Sequence, residues 1–251
     1  IHLHPFTLSE TETYIKSRNI KLNRYHLVQL YMAMGGIPHY LKEIERGKSA
    51  TENIADICFS ETGLLKDEFT NLYRALFDHA DNHIAVIRTL AKRKSGMTRN
   101  EIIKAAKLPN GGSLTKVLDE LNQSGFIDVY LPFGKKKNDK LYRLTDEYSI
   151  FYLQFIEKNS HEKEEVWKRL SQTQVYKIWC GYAFENICLK HIPEIKAALS
   201  IGGVYAASST FYKKGNKGEA GTQIDLLLDR NDQIINLFEI KFFSSFCIFL
   251  N

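Results

Sequence analysis

The sequence predicts a multidomain α/β chain, and three observations carry that expectation. Apolar residues recur at helical spacing through most of the first 125 positions. A short alternating stretch and its return flank a lysine-rich tip at 134–140. A last third opens with a helical pattern at 178–191 and passes into alternating segments at 204–209, 223–229 and 234–243. At roughly 150 residues per domain, 251 residues suggest two domains or three small ones. With 44% apolar and 25% charged residues the composition is that of a soluble globular chain and excludes disorder as the dominant state. No uncharged apolar run approaches the roughly 18 residues of a membrane span, so no membrane partner is expected.

Residues 1–80 read as all-helical. Ser9 with Glu12 three positions on has the form of a capping box. Asn23 opens a helix through Leu27, Leu30, Tyr31 and Met34, and Gly35-Gly36-Ile37-Pro38 stops it. Further helical runs cover 54–60 and 65–79. In the second zone, 81–148, a helix from His83 to Lys94 is followed by one over 99–107, capped by Thr98 with Glu101 at its third position. Pro109-Asn110-Gly111-Gly112 is a turn, and Ser113 is expected to cap a third helix to Gln123. Strands at 126–131 and 141–144 enclose the polar tip. Three helices and a hairpin make the winged helix-turn-helix arrangement.

Charge is concentrated in that zone. Residues 82–147 hold 13 Lys and Arg against 7 Asp and Glu, a net +6, leaving −1 for the rest of a chain whose formal charge is +5. DNA is the expected partner. Lys116 on the third helix and Lys135, Lys136, Lys137 and Lys140 at the tip are placed on phosphates, with Arg99 and Ser113 at the helix starts nearby. A winged helix used for protein contacts is the competing reading. Four cysteines, Cys58, Cys180, Cys188 and Cys247, are too sparse for a disulfide scaffold and lack zinc-knuckle spacing, so reduced thiols and a cytoplasmic location are expected. His79 and His83 are four apart with no acid or Cys partner in sequence, and core or surface roles are favoured over metal ligation.

The third zone, 149–251, carries the chemistry. Glu239 and Lys241 share one face of their strand. If partner numbers across the hairpin sum to 464, Asp225 lies opposite Glu239, with Cβ atoms about 5 Å apart. Two adjacent acids repel and call for a cation, Mg²⁺ by default. Lys241 would orient an attacking water or stabilise developing charge. Glu185 falls on a stripe with Ile178, Tyr182 and Leu189, pointing where apolar neighbours point. A surface hairpin with weak ion pairs is the competing reading for Asp225, Glu239 and Lys241.

Glu185 on a helix, then Asp225, then Glu239-Ile240-Lys241, resembles the PD-(D/E)XK nuclease superfamily and, within it, the Holliday-junction-resolvase-like branch. The whole chain also resembles the C-terminal part of a prokaryotic AAA+/STAND-type ATPase family. Its carriers are 3–10, Leu30 to Leu41 with its Gly-Gly-Ile-Pro, Gly181-Tyr182-Ala183-Phe184-Glu185, and the Gln223 to Lys241 block. The resemblance implies an ATPase-lid remnant at 1–80, a winged helix at 81–148, and a restriction-endonuclease-like αβ domain at 149–251, truncated at its C-terminus. It implies Glu185, Asp225 and Glu239 as ligands of Mg²⁺ or Mn²⁺ and Lys241 as the residue assisting water. ATP would belong to the parent protein alone: no Gly-x-x-x-x-Gly-Lys-Ser/Thr is present, and Lys42 stands five before Gly47-Lys48-Ser49. The expected function is DNA binding and metal-dependent cleavage coupled to an ATPase, with possible homo-oligomers. The alternative is a non-catalytic DNA- or protein-binding module regulating the ATPase. Ile1 to Pro5 read as a cut end, and the apolar residues 242–251 as a truncation or shifted frame.

Overall fold

Capping chemistry sets the first helix. A computed structural model of the chain describes residues 4–136, 139–162, 165–213, 215, 218 and 220–243. In it, Thr7 Oγ1 accepts the Glu10 N–H at 3.3 Å and the Glu10 carboxylate accepts the Thr7 N–H at 2.8 Å. Helix α1 (Leu8–Ser17) therefore starts ahead of the Ser9–Glu12 box expected from sequence, and Glu12 instead pairs with Lys16 at 2.7 Å. Both sites satisfy the same local pattern. The earlier start puts Thr11 and Ile15, one turn apart, on the buried face.

Helix α2 (Arg24–Met34) begins as expected, with Asn23 Oδ1 accepting the His26 N–H at 2.8 Å. It ends at Gly35, whose φ of 66° favours glycine. At Gly36 a Cβ would lie 1.9 Å from the Phe6 carbonyl oxygen, and Phe6 N–H donates to Gly36 O at 2.8 Å. The glycine pair is thus a crossing point of two backbones. Helices α3 (Pro38–Leu41), α4 (Ala50–Phe59) and α5 (Glu68–Leu76) follow.

In the next stretch α6 (Asp81–Leu90) precedes α7 (Arg99–Ala106), which has the expected Thr98–Glu101 capping box. Helix α8 (Gly112–Gln123) departs from expectation: Gly111, in extended backbone, is its N-cap and makes no side-chain cap bond, while Ser113 lies exposed inside the first turn. The glycines let the helix begin one residue earlier. Strands β1 (Ile127–Tyr130) and β2 (Leu141–Leu144) pair antiparallel, Ile127 with Leu144 through Tyr130 with Leu141. Met97 and Tyr142 exchange two backbone hydrogen bonds at 2.9 and 2.8 Å, tying the start of α7 to the hairpin.

The remainder runs through α9 (Glu147–Phe151), a π-helical turn (Tyr152–Ile156), a 3₁₀ turn (Glu157–Asn159), α10 (Glu165–Leu170), α11 (Gln174–Lys190) and α12 (Ile192–Ala198). Strands β3 (Ala206–Lys213), β4 (Thr222–Arg230) and β5 (Ile235–Phe238) form an antiparallel sheet in that order. The β4–β5 register pairs Leu226 with Phe238 and Leu227 with Leu237, the sum of 464 taken from sequence as a condition. β5 stops at Phe238 rather than Phe243, because the Ile240 N–H donates to the Asp225 carboxylate at 2.8 Å instead of to a ladder carbonyl.

The chain is a mixed α/β protein with twelve α-helices and two small antiparallel sheets among the described residues. α9 and α11 pack on α2 and α10 packs on α4, so helices from both ends of the sequence share one core. Its centre is aromatic: Trp167 stacks on Phe59 at 5.4 Å and meets Phe151, Phe155 and Tyr176 edge-on at 5.1 to 5.5 Å. No helix among the described residues is long and apolar enough to cross a membrane. Cys58, Cys180 and Cys188 are free thiols, and burial pushes those of Cys180 and Cys188 up to about 11.

Candidate carboxylate site

Helix α11 carries apolar residues almost all round, and its deep face consists of Tyr176, Trp179, Cys180, Ala183, Asn186 and Ile187. The stripe expected from sequence lies on the flank instead: Ile178 is 59% exposed, and Tyr182, Glu185 and Leu189 are half-buried. Both stripes have helical spacing. The one with the larger aromatic surface takes the core. Glu185 is therefore covered by the hairpin and sheet rather than by the core. Its neighbours fix that flank, with Tyr182 Oη donating to Leu144 O at 3.4 Å and Asn186 Nδ2 to Thr145 O at 2.8 Å.

Asp225 sits on β4 just before the buried Leu226-Leu227-Leu228. Its Oδ2 takes the Ile240 N–H at 2.8 Å and its Oδ1 takes Gln223 Nε2 at 3.1 Å. Glu185 and Asp225 feel each other. Burial first, and then the Asp225 charge, raise the Glu185 carboxyl above the usual carboxylate range, while Arg143 and Lys94 oppose the rise. Glu239 and Lys241 take a different direction. Their side chains, 74% and 58% exposed, pair at 2.6 Å, and that bond lifts the Lys241 ammonium. Glu185 thus feels the charge of Asp225, which also reaches Lys241, while the side chains of Glu239 and Lys241 pair with each other at the solvent edge. The oxygen donors of the first two suit a hard cation such as Mg²⁺. Among the described residues no three His, Cys, Asp or Glu side chains are grouped so that they could hold a metal ion.

Two cations near this site were not singled out by sequence. Arg143, 7% exposed, lies on β2 with its guanidinium 5.1 Å above the Tyr130 ring and 3.8 Å from Asp128. Its Nε is buried without a hydrogen-bond partner among the described residues. Lys94 Nζ lies 4.8 Å above the Tyr182 ring, and burial lowers its ammonium pKa against the pull of Glu185. Nothing local marks either residue. Arg143 arrives with the hairpin, which is tied to the sheet where Phe133 N–H donates to Thr210 O at 3.0 Å, and Lys94 arrives from the segment after α6, over Tyr182 of α11.

Of the residues expected on DNA, Arg99 bridges α7 to the next helix, donating to Asn110, to Gly111 O at 3.1 Å and to Thr115 Oγ1 at 3.3 Å. Lys116 is 73% exposed and 3.6 Å from Glu120, whose other oxygen meets His83 at 2.9 Å. His83 is a buried residue stacked on Phe77 at 4.2 Å, and His79 precedes the helix with a φ of 56°, so the two do not share a helix face. Lys135, Lys136 and Lys140 are exposed near the hairpin tip, and Lys137 lies outside the described residues. No protein-family model, curated protein or solved structure matches the chain.

Proposed function

We propose that this chain is the DNA-binding, metal-dependent nuclease-like C-terminal region of an AAA+-type ATPase, built as a helical lid segment, a winged helix and a PD-(D/E)XK-like domain. The observation that carries the reading is the 2.8 Å hydrogen bond from the Ile240 N–H to the Asp225 carboxylate, which sets that acid beside the Glu239-Ile240-Lys241 segment, with the Asp225 charge also reaching Glu185 on α11. A like-charged, partly desolvated pair is costly unless a cation offsets it, and such perturbed groups cluster at functional sites. Glu185, Asp225 and, after a side-chain rotation, Glu239 are the residues to hold Mg²⁺ or Mn²⁺. Bound there, the ion would lower the pKa of a water molecule and neutralise charge on a phosphodiester. Asp225 is pre-oriented by the Ile240 N–H, and Lys241, released from Glu239, can donate to the attacking water or to developing charge. The exposed Lys116, Lys135, Lys136 and Lys140 support phosphate contact by the second zone. ATP would be bound only by the parent's core.

The second reading, a non-catalytic DNA- or protein-binding module that regulates that core, is favoured by the outward pairing of Glu239 with Lys241. A cleavage assay with Mg²⁺ and with Mn²⁺, on the chain and on its full-length parent, separates the two. Cleavage lost in Asp225→Ala and Lys241→Ala supports the first. Cleavage unchanged by both substitutions, or a gel shift without cleavage of any DNA form, rejects it.

A further inference from the structure

A second feature borders the flank of α11 that carries Glu185. A cavity of about 590 Å³ opens between the end of α6, the π-helical turn and α11. That volume is typical of small-ligand sites. Its rim is basic. Arg88, Lys92, Lys94 and Lys158 line it with one acid, Glu157, a net formal charge of +3. Glu157 is taken up by Arg88 through two hydrogen bonds at 2.9 and 2.5 Å. Among the described residues no carboxylate forms an ion pair with Lys92, Lys94 or Lys158: Lys158 Nζ donates to the neutral Gln154 Oε1 at 3.2 Å and Lys94 lies over the Tyr182 ring. The inner walls are apolar or aromatic, with the half-buried Leu153 and Tyr182 towards the opening and the buried Ile150 and Trp179 at the floor. Leu153 and Gln154 come from the π-helical turn, an irregularity that costs backbone hydrogen-bond quality and recurs at functional sites.

We propose that this cleft binds a nucleotide unit, with phosphate on the lysines of the rim and base against the apolar wall. The charge requires an anion, and three flexible ammonium groups around one opening suit the several oxygens of a phosphate. The apolar wall requires that the same ligand carry a flat, weakly polar part. A nucleotide has both, either free or within a single strand. Inorganic phosphate would use only the rim, and an acidic peptide would leave the wall without a partner. Lys94 links the cleft to the carboxylate site, since it lies over Tyr182 and feels the Glu185 charge. Occupancy of the cleft does not depend on cleavage, so it stands or falls apart from the nuclease-like reading.

The test is run on the 251-residue chain in EDTA, which removes any metal-dependent step. Mononucleotide binding is followed by intrinsic tryptophan emission, because Trp179 is one of only two tryptophans and lines the cleft. Single-strand binding is followed by anisotropy of a short labelled oligonucleotide. The double reversal Lys92→Glu with Lys158→Glu should weaken both by about tenfold or more at low salt and flatten the salt dependence for the strand by about 1.4 in log–log slope. Lys21→Glu with Arg46→Glu, two exposed cations outside the cleft, should leave the binding of both probes unchanged. If only the mononucleotide binds, the source is a free nucleotide; if only the strand binds, it is nucleic acid. Should the charge reversal lower the melting temperature, Lys92→Gln with Lys158→Gln gives the reading. The proposal is overturned if the parent chain binds neither probe, if the cleft variants bind as the parent does, or if a polyglutamate peptide competes as well as the nucleotide.

Discussion

Lys190→Met is the sharpest probe of what holds α11, and hence Glu185, in place. Glu147 at the start of α9 is 4% exposed and receives the Lys190 ammonium on both oxygens at 2.8 Å. The Lys190 side chain is 28% exposed. Methionine keeps the apolar stem and removes the charge, leaving a buried carboxylate alone. Removing one partner of a fully buried pair costs about 3–5 kcal/mol, and the partial exposure of Lys190 reduces that to about 2–4 kcal/mol. For a chain of this size the melting temperature should fall by roughly 5–15 °C. The pH dependence identifies the cause. Burial raises the Glu147 carboxyl above its usual range even with Lys190 present, and its loss raises it further. A raised folded-state pKa means that stability is complete below the unfolded value and is lost as pH rises through the folded one. The deficit of the variant should therefore be largest at pH 7–8 and shrink towards pH 4.5. Glu147→Gln combined with Lys190→Met should recover at least half of it. Differential scanning calorimetry across this range is the assay. A deficit that stays constant between pH 5 and 8, or a variant as stable as the parent at pH 7, would refute the argument from an uncompensated buried charge.

Two further outcomes follow from the same physics. Glu185→Gln should stabilise the chain by about 1 kcal/mol at pH 8, or roughly 2–4 °C, because it removes a desolvated charge facing Asp225. The gain should vanish below the unfolded carboxyl pKa, where Glu185 is protonated anyway, and a thermal shift series over pH 4–8 that shows no such trend contradicts the coupling. Thr98→Ala should cost about 1 kcal/mol by opening the capping box of α7, read as a lower urea midpoint with unchanged m-value.

Local chemistry made much of the fold legible. The Asn23 cap and the Thr98–Glu101 box each lie within four residues, and both form. Where two nearby sites offered the same chemistry, as with Thr7 and Ser9, only packing chose between them, and at α8 the permissive backbone of Gly111 displaced the side-chain cap that Ser113 offered. The β4–β5 pairing takes the register of sum 464 that the sequence reading posed as a condition, with the short turn between the strands limiting the choices. The early end of β5 was not legible, since it depends on a side chain fifteen residues away taking the Ile240 N–H. Helix α12 was hidden by Pro193, which sits in its first turn, where its missing N–H costs nothing.

The carboxylate site shows the same division between local and distant causes. Glu185 and Asp225 could be singled out because each acid interrupts an apolar stretch. Their charge balance could not, because it comes from residues with no sequence relation to them. Arg143 stands on β2 and Lys94 follows α6, and both act on Glu185. The buried Arg143 is held over Tyr130, and the same hairpin is pinned to β3 through Phe133 and Thr210. Moving the hairpin away would therefore withdraw a cation from a partly desolvated acid and raise its pKa further. The hairpin that bears the exposed lysines is thus also part of the electrostatics of the acid pair. Substituting Arg143 should therefore raise the Glu185 carboxyl further without touching either acid.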